Sequence, residues 1–364
     1  MIADKIPATV VTGFLGAGKT TLISNLIRQA DGRRIALIVN EFGTLGVDGG
    51  LIAECGIEGC TEDDVIELAN GCICCTVADD FVPAIEKLLA RDPAPNHIII
   101  ETSGLALPQP LVQAFQWPAV KDRVTVDGVV TVADAAALSE GRVASDLEAV
   151  AAQRAADDAV DHETPVEELF ADQLRCADMI VLSKTDLVPA RALGELNSHI
   201  GARARGGVQI IPAVSGEIPA AVLLGLGSAA EDNMAGREAS HHHHHHDDDH
   251  DHDHHDHDHH HHHDHDHGHD AFDSFVLPLA PVPNVFELKN RVLAAMAVPG
   301  VLRIKGRARV AEKTAPLVVQ AVGPRVETYF SMAGDGSGTG DANGLVVIGV
   351  ADMDRGAIEA ALIG

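Results

Sequence analysis

The chain has 364 residues, the length of about two ordinary domains. Hydrophobic residues make up 46% of it and aromatic residues only 3%, so its core is expected to be mainly aliphatic. The formal net charge is -28, and it is still -18 without the ten acids of residues 241–270. This acidity argues against nucleic acid or an anionic membrane as the main partner.

The first residues and the overall hydropathy indicate a cytoplasmic protein. Residues 1–5 lack the basic and apolar regions of a signal peptide. No apolar run approaches the roughly 20 residues that a membrane-spanning helix needs. In a reducing compartment the six cysteines are expected to be thiols, so clustered cysteines favour a metal or redox site over disulfide bonds.

Short apolar runs, several of them separated by helix-like segments, recur up to about residue 225. They lack polar alternation, which is typical of strands that are covered on both faces of a parallel sheet. The pattern predicts an α/β doubly wound domain over residues 1–227. The predicted strands are Ile6–Thr12, Ile35–Asn40, Ile98–Thr102, Val129–Val132, Met179–Ser183 and Gln209–Pro212, and the predicted helices include Thr20–Ala30, Asp79–Ala90 and Pro165–Ala177.

Residues 228–270 break this pattern. Of the 22 histidines, 19 lie in residues 241–270, interleaved with aspartate, and nothing apolar is available for burial. We expect this linker to be disordered when metal-free and to bind Co²⁺, Ni²⁺, Zn²⁺ or Cu²⁺ without fixed geometry; a solvating linker is the alternative. Mixed strand-like and helix-like segments then predict a small α+β domain over residues 271–364.

Residues 13–20 read Gly-Phe-Leu-Gly-Ala-Gly-Lys-Thr, between an apolar strand and a helical segment. This is the phosphate-binding loop of P-loop proteins, in which backbone N–H groups and the helix N-terminus hold phosphate oxygens. Lys19 is expected to reach the β- and γ-phosphates, and the Thr20 hydroxyl to coordinate Mg²⁺. The predicted phosphate-binding residues are Gly13, Gly16, Ala17, Gly18, Lys19, Thr20 and Thr21.

Residues 183–186, Ser-Lys-Thr-Asp, are similar to the Asn-Lys-x-Asp guanine motif of GTPases. The Asp186 carboxylate can accept from N1–H and from the 2-amino group of guanine, whereas adenine has no matching pair of donors. The Lys184 stem is expected to cover the base, and Ser215 to complete the pocket. Ser183 replaces the usual asparagine and so removes an amide that braces neighbouring loops. The motif favours GTP over ATP.

Residues 101–104, Glu-Thr-Ser-Gly, follow another predicted strand. Glu101 is expected to assist Mg²⁺ binding, directly or through another ligand, and Gly104 to bring an N–H near the γ-phosphate. Lys19, Thr20 and Glu101 are therefore the predicted catalytic residues. No glutamine follows Gly104 to orient an attacking water, so intrinsic hydrolysis is expected to be slow.

Residues 70–76, Asn-Gly-Cys-Ile-Cys-Cys-Thr, place three thiols within four residues. Thiolates favour soft or borderline ions such as Zn²⁺, Cu⁺ and Co²⁺. Cys72 and Cys74 face one ion more easily than the adjacent Cys74 and Cys75 do, and burial as small hydrophobic residues is the alternative. Cys55 and Cys60 are interpreted as structural or incidental, with a role as extra ligands as the alternative, and Cys176 is interpreted as a core residue.

These motifs stand in a familiar order. With Asn-Glu-Phe-Gly at residues 40–43, they resemble the CobW family of metal-handling GTPases, and residues 303–306, Arg-Ile-Lys-Gly, resemble the signature of that family's C-terminal domain. Residues 61–64, 70–81 and 103–110 look more like the cobalamin-associated members than like their zinc-handling relatives.

The resemblance implies roles that the residues alone do not fix. Residues 40–43 belong to the first switch loop, where Glu41 is an auxiliary metal ligand or a γ-phosphate sensor. Cys72, Cys74 and Cys75 carry the cargo, implied to be Co²⁺ for a cobaltochelatase of cobalamin biosynthesis, with Zn²⁺ second and Ni²⁺ third. GTP is expected to tighten metal binding by ordering these loops. A metal buffer, or a GTP-driven regulator of the chelatase, remains the alternative.

Overall fold

The structure is a computed structural model that describes residues 5–30, 32–39, 65–67, 81–156, 164–234, 237, 271–331 and 343–364. Within these residues, no helix is long and apolar enough to cross a membrane. Several predictions fall outside them and stay predictions. These concern the part of the predicted 228–270 linker at residues 235, 236 and 238–270, and the side chains of Glu41, Cys55, Cys60, Cys72, Cys74 and Cys75.

The first sheet is parallel and, in the described part of the chain, has seven strands in the order β3-β2-β4-β1-β5-β6-β7. The central strands are buried on both faces, as the unbroken apolar runs predict. The predicted doubly wound α/β domain is confirmed. The strands are β1 Ile6–Thr12, β2 Ile35–Val39, β3 Val65–Glu67, β4 His97–Glu101, β5 Val124–Asp134, β6 Met179–Ser183 and β7 Gln209–Pro212.

Helices cover both faces of this sheet. In the first of them, Leu22, Ile23, Leu26 and Ile27 form one apolar stripe that packs on β1, β2 and β4. A second apolar cluster lies on the opposite face. The helices are α1 Lys19–Arg28, α2 Val82–Leu89, α3 Pro108–Ala114, α4 Ala135–Ser139, α5 Leu147–Ala156, α6 Val166–Cys176, α7 Ala190–Arg203 and α8 Ala220–Leu223.

The second sheet is antiparallel, with the order β11-β10-β9-β12-β8. Two helices pack on one of its faces and enclose a separate aliphatic core. The predicted α+β domain is confirmed, while its boundaries at residues 227 and 270 stay a prediction. Its elements are β8 Phe272–Pro278, α9 Val285–Met296, β9 Val301–Ala308, β10 Leu317–Val322, β11 Arg325–Phe330, β12 Gly344–Val350 and α10 Arg355–Ile363.

The opposite face of the second sheet contacts the first domain. Leu302, Val322 and Ile348 join the apolar cluster that lies over α1. The buried guanidinium of Arg303 donates to the carbonyl oxygens of Ala221 at 2.8 Å and Leu224 at 2.6 Å. The two domains therefore share an interface with an apolar part and a charged hydrogen-bonding part.

Candidate nucleotide-binding site

The phosphate-binding loop follows β1 at the centre of the parallel sheet. Gly13 has φ 137°, and a Cβ there would lie 2.2 Å from the carbonyl oxygen of Val132 in β5. A side chain at this position would therefore collide with the neighbouring strand. Gly16 and Gly18 also have positive φ, and Gly18 is the N-cap residue that immediately precedes α1. The loop is thus folded tightly against the sheet, as the motif predicts.

Lys19 and Thr20 lie at the start of α1, over the carboxyl ends of the strands. The Lys19 ammonium donates to the carbonyl oxygen of Gly13 at 2.8 Å and to that of Phe14 at 3.3 Å. The Thr20 hydroxyl donates to Glu101 Oε1 at 3.2 Å, and Glu101 is 6% exposed. A hydroxyl beside a carboxylate is the oxygen-rich donor set that Mg²⁺ prefers, so these two residues fit a magnesium ion.

These residues line a cavity of about 380 Å³, which is open to solvent. Its wall includes the loop, the start of α1 and the ends of β2 and β4. Two of its lining residues, Val39 and Gln153, lie outside every nucleotide motif, so the sequence gives no local signal for them. The lining residues are Leu15, Gly16, Gly18, Lys19, Thr20, Thr21, Val39, Glu101, Thr102, Ser103, Gly104, Gln153 and Lys184.

Gly104 is fixed against the phosphate-binding loop. The fully buried Gln173 donates its amide to the carbonyl oxygens of Gly104 and Ala106, both at 3.1 Å. A Cβ on Gly104 would lie 2.7 Å from the backbone nitrogen of Leu15. The close approach requires glycine here, and it brings residue 104 beside the predicted γ-phosphate position.

The guanine motif lies next to the loop at the end of β6. Lys184 has φ 56°, lines the cavity, and forms an ion pair with Asp134 at 2.5 Å. Asp134 is fixed in turn, since its other oxygen accepts from the backbone N–H of Ala137 at 3.1 Å and caps α4. Asp186 is exposed. The Lys184 stem is therefore held where it can cover a base, and the Asp186 carboxylate is accessible.

Ser215 lies on the loop after β7, and it is not among the described residues that line the cavity. Asn25 of α1 donates to its carbonyl oxygen at 2.9 Å. The Thr185 hydroxyl donates to the carbonyl oxygen of Ala213 at 3.2 Å. These bonds hold the loop after β7 beside both the guanine motif and α1.

Ser183 departs from the guanine motif but keeps a bracing contact. Its buried hydroxyl lies 2.6 Å from the carbonyl oxygen of Ala17 and 3.2 Å from that of Ala133. The usual amide is absent at this position, and the Ser183 hydroxyl makes the bracing contact with the phosphate-binding loop instead.

The predicted thiol site follows β3 along the chain and lies outside the described residues. Elsewhere in the described part, no group of three or more His, Cys, Asp or Glu side chains is placed to hold a metal ion. Cys176 is fully buried, and burial raises the pKa of its thiol to about 12. The prediction that Cys176 is a core residue is confirmed.

Residues 7–212 match the family described as CobW/HypB/UreG, nucleotide-binding domain, and residues 282–364 match the cobalamin synthesis protein CobW C-terminal domain. A Sinorhizobium protein named zinc chaperone CobW is 52% identical, over 98% of this chain and 96% of its own length. A Pseudomonas aeruginosa protein of the same name is 45% identical, over 97% of this chain and 90% of its own length.

Among solved structures, the Zn(II)-bound YjiA GTPase from Escherichia coli aligns over 98% of both chains, with 20% identity and a TM-score of 0.42. The match over residues 7–212 falls on the sheet and motifs described above. The chain belongs to the CobW/HypB/UreG family of nucleotide-binding proteins and carries the CobW C-terminal domain.

Proposed function

We propose that the chain is a GTP-dependent metallochaperone. It binds one transition-metal ion at Cys72, Cys74 and Cys75 when Mg·GTP is bound, and it releases the ion after GTP hydrolysis. Zn²⁺ is the first candidate cargo, because the relatives at 52% and 45% identity are named zinc chaperones. Co²⁺, for a cobaltochelatase of cobalamin biosynthesis, is the second, and it rests on the motif resemblance alone.

The nucleotide half of the proposal rests on the cavity at the carboxyl ends of the strands. Lys19 would contact the β- and γ-phosphates, while Thr20 and Glu101 would hold Mg²⁺, which would neutralise phosphate charge. Asp186 selects guanine through its two acceptor oxygens. Intrinsic hydrolysis is slow, as expected of a protein that holds its cargo until it meets an acceptor.

The pairing of three neighbouring strands supports a connection between the nucleotide cavity and the proposed cysteine site. Val39 of β2 pairs with Glu67 of β3 on one side and with Glu101 of β4 on the other. At about 4.8 Å per strand, the backbone of Glu67 lies roughly 10 Å from that of Glu101. The chain thus leaves β3 at the same edge of the sheet as the nucleotide cavity, only five residues before Cys72.

This proximity allows one nucleotide to control a metal site. Val39 lines the cavity and leads directly into residues 40–43, the predicted switch loop. If Mg·GTP orders this loop and the Cys72–Cys75 run together, metal affinity rises, and hydrolysis lowers it again. Glu41 serves as an auxiliary ligand or as the sensor of the γ-phosphate. By linkage, the metal tightens GTP by the same factor.

The acceptor is a metal-requiring protein of the cytoplasm. The acidic net charge makes nucleic acid and anionic membranes poor partners. The His/Asp linker of residues 241–270 collects ions and raises their concentration near the thiols. Its ions are weakly held, so the chaperone function depends on the cysteine site.

The test is metal stoichiometry with Mg·GTP present, measured under a competing chelator. The triple variant Cys72→Ser, Cys74→Ser and Cys75→Ser is expected to lose the tight site. Cys176→Ala, which changes a buried thiol, is the matched control and is expected to keep it. Deleting residues 241–270 is expected to remove weak sites only. Loss of all binding on that deletion would identify a metal buffer, and a wild-type chain without any tight site would favour a regulator that carries no cargo. Retention of tight binding by the triple serine variant would place the metal site outside these three cysteines.

A further inference from the structure

The sequence shows no glutamine after Gly104, yet the structure supplies one from elsewhere. Gln153 lies in α5, 49 residues further along the chain, and lines the nucleotide cavity together with Lys19, Thr20, Glu101 and Gly104.

The position of α5 over the phosphate-binding loop is determined by packing. Val150, three residues before Gln153 and thus on the same helix face, is buried in one cluster with Phe14 of the loop and Leu105 after Gly104. The Asp146 carboxylate caps the helix by accepting from the N–H of Ala149 at 2.8 Å. Gln153 therefore lies on a capped helix that packs directly against the phosphate-binding loop.

The amide oxygen of Gln153 is buried and has no hydrogen-bond partner among the described residues. A buried carbonyl oxygen without a partner is destabilising, so native proteins usually satisfy such an oxygen with another group or with water. A Cβ built on Gly104 would lie 3.2 Å from this oxygen and 2.7 Å from the Leu15 nitrogen. The oxygen thus lies where residue 104 meets the phosphate-binding loop.

We propose that Gln153 is a catalytic residue of GTP hydrolysis that orients the attacking water. Its Oε1 accepts a hydrogen bond from that water, and its amide N–H group donates to a γ-phosphate oxygen. The water oxygen bonds to the γ-phosphorus as the bond to the β,γ-bridging oxygen breaks. The water proton passes to a phosphate oxygen, and GDP and inorganic phosphate result. Gln153 itself neither gains nor loses a proton. This assignment rests on the proposed GTPase function.

The test uses the full chain and single-turnover GTP hydrolysis. Gln153→Ala removes the amide. Gln153→Met keeps the length and packing of the glutamine side chain but has no polar oxygen. Both variants are expected to hydrolyse GTP at least about a hundredfold more slowly, the lower end of the range for removing a positioned hydrogen-bonding group at a reacting centre. Affinities for GTP and GDP stay within about threefold. Gln113→Ala, an exposed residue of α3, is the matched control and keeps the wild-type rate.

A second readout separates catalysis from packing. GDP with aluminium fluoride mimics the transition state, and both Gln153 variants are expected to lose affinity for it while binding GDP normally. A Gln153→Met variant with the wild-type rate would overturn the assignment, because packing alone would then explain the residue. A weaker GTP affinity with an unchanged rate would overturn it as well. A wild-type chain that binds GTP without turning it over would contradict the proposed function itself, and this assignment with it.

Discussion

The hydroxyl of Ser183 lies 2.6 Å from the carbonyl oxygen of Ala17, and it joins the guanine motif to the phosphate-binding loop. Both residues are buried. The contact connects the two parts of the site that hold opposite ends of a nucleotide. It does so with a hydroxyl on a side chain that is shorter than the usual asparagine.

Replacing Ser183 with alanine is expected to weaken GTP and GDP binding equally, by about fivefold to tenfold. The change removes one hydrogen bond and leaves a buried carbonyl unpaired, which costs about 1 kcal/mol. Fluorescent-nucleotide titration measures the effect. Ser198→Ala, which loses only a bond within α7, is the control. Dissociation constants that stay at the wild-type value would show that the contact does not organise the site.

Replacing Asp186 with asparagine is expected to change the base preference. The GTP dissociation constant should rise at least about tenfold, because charge-assisted hydrogen bonds are worth roughly 1.5–3 kcal/mol. XTP should bind better, since xanthine presents an oxygen at position 2 to the asparagine N–H. Competition between GTP and XTP is the measurement, with the exposed Asp122→Asn as control. An unchanged preference for GTP would place guanine recognition elsewhere.

Arg303 is expected to hold the two domains together. Burial lowers its pKa to about 10, so the guanidinium is still protonated at pH 7. Arg303→Met would leave the carbonyl oxygens of Ala221 and Leu224 unpaired and lower the free energy of unfolding by about 3 kcal/mol. Urea unfolding measures this, and the exposed Arg309→Met should change it by less than about 0.5 kcal/mol. Equal midpoints for the two variants would contradict the role of Arg303.

Cys176 is expected to make stability depend on alkaline pH. Because burial raises the pKa of its thiol to about 12, the folded chain keeps this proton above pH 9, where the unfolded chain loses it. The free energy of unfolding therefore decreases as the pH rises from about 9 to about 12. The difference in unfolding free energy between the wild type and Cys176→Ala should fall by about 1 kcal/mol from pH 8 to pH 10. A difference that is constant with pH would contradict this burial.

The sequence predicts those parts of the molecule whose signals are local. The apolar strand before residue 13 and the helix after it place the phosphate-binding loop, and Ser183 to Asp186 follow a strand of the same kind. Glu101 is placed by its position at the end of β4, since parallel strands end at one edge. The positions of these residues can be predicted without knowing any contact between distant parts of the chain.

Other parts of the molecule depend on tertiary packing, so local sequence patterns do not predict them. β3 has only three residues, too few for periodicity to indicate a strand. Gln153 reaches the cavity because Val150 packs against Phe14 and Leu105, a relationship that the chain order does not contain. Arg303 is a charged side chain on a buried strand face, and its partners are backbone carbonyls rather than residues that a motif could identify.

The central claim is that the nucleotide controls the affinity for metal. The most direct test is a competitive Zn²⁺ titration of the chain lacking residues 241–270, with Mg²⁺ and either a non-hydrolysable GTP analogue or GDP. A parallel Co²⁺ titration follows the thiolate absorption band and compares the two cargoes. We predict at least about tenfold tighter binding with the GTP analogue, within the usual range of coupling between two sites. Equal affinities with the two nucleotides would contradict the account.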